Sequence, residues 1–73
     1  MKIIDVPGTV ETIFRLAKEN GLTVRQLADT LCVSNMAVYN WRNLNRLPSV
    51  DHLVMLTEIF DVPLDDIINA KTL

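Results

Sequence analysis

The segment from Thr23 to Asn43 restricts the fold of this chain more than any other. It holds two short amphipathic stretches, each opened by a side-chain cap and separated by a break of about three residues. Thr23 and Gln26 have the spacing of a capping box, in which each side chain satisfies a free backbone N–H. Val24, Leu27, Ala28 and Leu31 then repeat at the helical period for about two turns, until Cys32-Val33-Ser34 interrupts them. Ser34 is the next cap and opens a helix from Asn35 to roughly Asn43. Val38 and Trp41 face inward on it, which leaves Asn35, Met36, Tyr39, Asn40 and Arg42 outward. A short capped helix, a tight break and a second capped helix with a polar outer face make the local grammar of a helix-turn-helix. Ala28 is small where the two helices cross, and Cys32 occupies the turn position where a positive φ is normally wanted.

The flanking sequence adds helices on both sides. Residues 1–8, MKIIDVPG, predict an extended N-terminal arm whose Ile3, Ile4 and Val6 are closed off by the turn pair Pro7-Gly8. A lone strand has nothing to pair with, so the arm is expected to pack its aliphatics on the domain rather than to pair with another copy. Thr9 is the expected cap of a first helix with Val10, Ile13, Phe14 and Ala17 on one face, ended by Asn20-Gly21. Pro48 makes a loop of Asn43 to Pro48. Ser49 caps a fourth helix with Val50, Leu53, Val54, Thr57 and Phe60 on one face, widened by Met55, Leu56 and Ile59. Pro63 suits the first turn of a fifth short helix, where Asp65 and Asp66 complement the dipole and Leu64, Ile67 and Ile68 face the core. The expected fold is all-α, five short helices behind the arm: arm 1–8, helix-turn-helix domain 9–69, C-terminal tail 70–73. No repeat, low-complexity tract or strand pair able to make a sheet is evident.

Composition narrows the function classes. Seventy-three residues at 8.3 kDa are expected to make one small domain rather than a multidomain enzyme. With 49% apolar residues the chain folds, although at this size it buries only about 60% of its extended surface, so a partner subunit would help. A single Cys32 makes no internal disulfide, and a single His52 supplies no His-rich metal site. Asp5 and Pro7 interrupt the N-terminus before a signal-peptide core accumulates, and no run is long enough to span a bilayer; the expected compartment is the cytoplasm. No triad, phosphate cradle or metal cluster can be assembled, so neither enzymatic activity nor a cofactor is expected.

The run GLTVRQLADTLCVSNMAVYNWRNLNRLPSVDHLVMLTEIFDVPLDDII resembles the Cro/C1-type helix-turn-helix family of phage and bacterial repressors, also called the XRE family. The ordered markers are Gly21-Leu22-Thr23, Leu27-Ala28, Leu31, Val33-Ser34, Val38, Trp41, Pro48-Ser49, Leu53, Leu56, Val62 and Leu64-Asp65. The resemblance implies a lambda-repressor-like domain whose second motif helix enters the major groove. Carried over by position, it implies base contacts from Asn35, Met36, Tyr39 and Asn40. It implies phosphate contacts from Thr23, Arg42, Asn43 and Arg46. The chemistry agrees: an Asn carboxamide offers adenine a donor and an acceptor together, and Met36 can meet a thymine methyl. Three positions depart from the family pattern. Val24 replaces a phosphate-touching Gln, Leu44 replaces a common loop Gly, and Cys32 replaces the frequent turn Gly.

Charge is segregated in a way that suits DNA despite a net charge of −2. Cys32 to Val50 carries Arg42 and Arg46 and no acid, whereas Asp51 to Asn69 carries Asp51, Glu58, Asp61, Asp65 and Asp66. The expected function is sequence-specific binding of double-stranded DNA as a repressor-like transcriptional regulator, with a twofold homodimer matching half-sites one helical turn apart. Ile67, Ile68 and Leu73, or the Ile3-Ile4 arm, would supply the dimer contact. No membrane partner and no small-molecule effector are implied. The alternative is a protein-interaction module that keeps the fold and uses Met36, Tyr39 and Leu44 as an apolar patch. Plainer roles go to Val38 and Trp41 as core, to Cys32 as a turn residue, to His52 as a surface residue and to Asp65-Asp66 as dipole complements.

Overall fold

The computed structural model describes residues 1–73. In chain order it contains β1 (Lys2–Ile4), α1 (Val6–Glu19), α2 (Val24–Leu31), α3 (Asn35–Asn43), α4 (Val50–Phe60), one turn of 3-10 helix (Leu64–Asp66) and β2 (Ala70–Thr72). Every α-helix starts on a side-chain cap. The Asp5 carboxylate accepts the Gly8 N–H at 3.2 Å, and the Ser34 and Ser49 hydroxyls accept those of Ala37 and His52 at 3.0 and 3.2 Å. At α2 both halves of the Thr23/Gln26 box are made, at 3.1 and 2.9 Å.

The helix ends are equally regular. Each closes on one left-handed residue, Gly21, Cys32, Asn45 or Asp61, with φ between 48° and 70°. The next N–H then reaches back five residues: Leu22 to Ala17, Val33 to Ala28, Arg46 to Trp41 and Val62 to Thr57, at 2.8 to 3.1 Å. Three of these four residues carry a side chain where glycine would be unstrained. After α3 the left-handed position falls on Asn45, while Leu44 stays at φ −109°. The loop thereby turns without a glycine at 44.

Thirteen buried apolar residues form one core: Val10, Ile13, Leu16 and Ala17 of α1, Leu27, Ala28 and Leu31 of α2, Val38 and Trp41 of α3, Leu53, Leu56 and Phe60 of α4, and Ile67. The motif helices α2 and α3 pack directly on each other, and α1 braces α3 from the side.

Four sequence expectations are corrected. There are four α-helices, because the segment after Pro63 makes one 3-10 turn, in which Leu64 stays exposed and Ile67 alone is fully buried. α1 begins at Val6, upstream of Thr9; Pro7 lies in the first turn, where its missing N–H has no helical partner to lose. Gly8 is needed there, since a Cβ would collide with the capping carboxylate of Asp5. The arm is not unpaired: β1 and β2 form an antiparallel ribbon with Lys2 opposite Thr72, Ile3 opposite Lys71 and Ile4 opposite Ala70. Finally, α4 buries Leu53, Leu56 and Phe60 and leaves Val50 and Val54 in solvent, since a helix apolar nearly all round does not itself say which face turns inward.

Thr9, expected as a cap, is instead a fully buried tie between the ends of the chain. Its hydroxyl accepts the Asn69 N–H at 2.9 Å, and the Asn69 side-chain amide donates to the Thr12 hydroxyl at 3.1 Å. The Asp5 N–H donates to the Asn69 carbonyl at 2.7 Å, which starts the ribbon from the same residue.

Candidate nucleic-acid interface

α3 is anchored by two buried side chains, packs against α1 and α2, and leaves its outer face in solvent. Val38 and Trp41 are buried, so at 100° per residue Met36, Tyr39 and Asn43 point away from the core, with Asn35 and Asn40 beside them. Asn35, Met36, Tyr39 and Asn43 are exposed and Asn40 is half-buried. Met36 is 65% exposed and Tyr39 43%, so large side chains stand clear of the globule. The four residues expected to touch bases therefore share one continuous surface. α3 is fixed at its start by the Ser34 cap and through its middle by Trp41, which gives that surface a rigid backbone.

The residues expected to touch phosphates come from three places. Thr23 is exposed at the N-terminus of α2; its oxygen accepts the Gln26 N–H, which leaves the hydroxyl proton free to donate. Asn43 closes α3, and Arg46 is exposed in the following loop, its backbone N–H tied to Trp41. Arg42 lies on the flank of α3 that meets α1, where its guanidinium carbon sits 3.9 Å from the centroid of the Phe14 ring. The chain has one ion pair, Arg15 with Glu19 at 3.0 Å, so neither Arg42 nor Arg46 is neutralised by a carboxylate. Two open clefts, of about 550 and 260 Å³, border Arg42 and share Glu11 and Phe14 with it.

Phe14 has no signal in the sequence for its contact with Arg42. Its spacing reads as core, and a pairing between two helices separated by a third leaves no local periodicity. Cys32 does what its position implies: at φ 57° and ψ 40° it is left-handed, and it sets the break between α2 and α3.

A family model described as helix-turn-helix matches residues 13–67, three quarters of the chain and the whole α2–turn–α3 unit. The chain belongs to the Cro/C1-type helix-turn-helix family. No curated protein and no solved structure matches it. The family is one of DNA-binding transcription regulators. The match takes in α2, α3 and α4 whole and leaves out the β1–β2 ribbon and the first turns of α1. No helix is long and apolar enough to cross a membrane.

Proposed function

We propose that this helix-turn-helix chain binds double-stranded DNA sequence-specifically and acts as a repressor-like transcriptional regulator by occupying operator DNA. The observation that carries this is the uncovered outer face of α3, polar and rigidly backed, with Asn35, Met36, Tyr39 and Asn43 in solvent and Val38 and Trp41 buried beneath. α3 has the width to lie in the major groove. Asn35 and Asn40 then offer carboxamides to adenine edges, Met36 and Tyr39 fill the space beside them, and Thr23, Arg42, Asn43 and Arg46 hold the flanking phosphates. Val24 brings no polar contact of its own, and the cations are few. A single copy therefore binds weakly, and a twofold homodimer on paired half-sites supplies the missing affinity.

Selection from a randomised duplex pool at low salt, followed by gel-shift titration of the enriched sequence, tests the proposal. A recovered sequence that Asn35→Ala and Asn40→Ala bind less selectively supports it. No enrichment, with both variants indistinguishable from wild type, overturns it.

A second function, docking of another protein, draws on the exposure of Met36, Tyr39 and Leu44, the last 53% exposed beside the end of α3. Salt separates the two. DNA affinity drops steeply as salt rises, whereas an apolar interface hardly responds.

A further inference from the structure

We propose that Phe14 is a positioning residue for DNA contact: its ring holds the Arg42 guanidinium in place on the flank of α3, ready for a backbone phosphate. The inference rests on the DNA-binding function proposed above and adds a residue from outside the motif. Phe14 lies on α1, half-buried against the core, with one ring face presented to Arg42 at 3.9 Å. At that distance the cation is attracted by the ring quadrupole. The contact places the guanidinium carbon over the ring. No side-chain hydrogen bond and no ion pair uses the guanidinium N–H donors, so they stay available to an incoming anion. Glu11, one turn earlier on α1, borders the same clefts but makes no ion pair with Arg42.

A free arginine loses much rotamer freedom when it clamps a phosphate, and one already held loses less. The same ring fixes where the charge stands relative to α3, since α1 and α3 pack together in the core. The backbone contact at Arg42 is thereby registered to the base-reading face rather than to a mobile side chain.

A double-mutant cycle on the selected duplex tests this, with Phe14→Leu, Phe14→Tyr, Arg42→Gln and the Phe14→Leu/Arg42→Gln pair measured by fluorescence anisotropy. Phe14→Leu should weaken binding about two- to fivefold, and Phe14→Tyr, which keeps the ring, should bind as wild type. In the Arg42→Gln background Phe14→Leu should change nothing further. Arg42→Gln should reduce the slope of log affinity against log salt by about 0.9, and Phe14→Leu should leave that slope unchanged because the charge remains. In the free protein, the Arg42 δ-methylene protons should resonate upfield from the ring in wild type and Phe14→Tyr, and move back in Phe14→Leu. Equal weakening by Phe14→Leu with and without Arg42 would show that the ring acts only through the core, and absence of the upfield shift would show that the stack does not form; either overturns the proposal. If wild type itself selects no duplex, the DNA-binding proposal falls, and this one with it, whatever the ring shift shows.

Discussion

The four left-handed helix ends supply a reciprocal test of how the chain holds its turns. At Gly21, φ is +70° and an added Cβ would meet nothing within 4 Å, so Gly21→Ala perturbs backbone torsion and nothing else. The left-handed penalty for a Cβ is about 1–2 kcal/mol. Replacing glycine also restricts the unfolded chain, which returns about 0.5–1 kcal/mol. The net expected loss is about 1 kcal/mol. Cys32, exposed at φ 57°, is the mirror case: Cys32→Gly removes the penalty and no buried contact, so it should gain about 1 kcal/mol. In urea, where a small domain has a slope of about 1 kcal/mol per molar, the midpoint should move by about 1 M, down for Gly21→Ala and up for Cys32→Gly, with the slope unchanged. Melting temperatures should shift by about 4–8 °C in the same directions. If Cys32→Gly were neutral or destabilising while Gly21→Ala lost stability as expected, the reasoning from φ at the α2–α3 turn would be refuted.

Further outcomes follow from the same geometry. Thr9→Val should cost about 1–3 kcal/mol, because the Asn69 N–H loses its buried acceptor; urea unfolding measures the loss, and faster hydrogen exchange at Asn69 locates it. Ser34→Ala removes the only side-chain cap of α3 and should cost about 1 kcal/mol, with amide exchange rising first at Met36 and Ala37. Arg46→Gln should lower affinity for all duplexes alike and reduce the salt slope by about 0.9, with the preferred sequence unchanged in gel-shift competition.

What was legible in the sequence is what local chemistry specifies. The Thr23/Gln26 box and the Ser34 and Ser49 caps are signals between residues three apart, and all are made as read. Val38 and Trp41 were legible as the buried anchors of α3, because a helix with just two inward residues leaves little choice. The misses are of other kinds. Pro7-Gly8 reads as a breaker, yet both residues fit the first turn of a helix capped by Asp5, where missing donors and small side chains are tolerated. The β1–β2 ribbon joins three residues at one end of the chain to three at the other, and strands so short show no alternation. The segment after Pro63 stops after one 3-10 turn, since Asn69 is already committed to Thr9 and Asp5. Within the candidate interface, which α3 residues turn away from the core was legible from helical spacing. The stack of Arg42 on Phe14 was not, because it depends on how α1 lies across α3.

Mapping backbone amide shifts in the labelled protein as the selected duplex is added is the most direct test of whether α3 is the surface that meets DNA. The account predicts the largest changes along Asn35–Asn43, with smaller ones at Thr23 and Arg46, and little change on the acidic stretch from Asp51 to Asp66. Changes concentrated on Val50 and Val54, or none on α3 at saturating DNA, would contradict it.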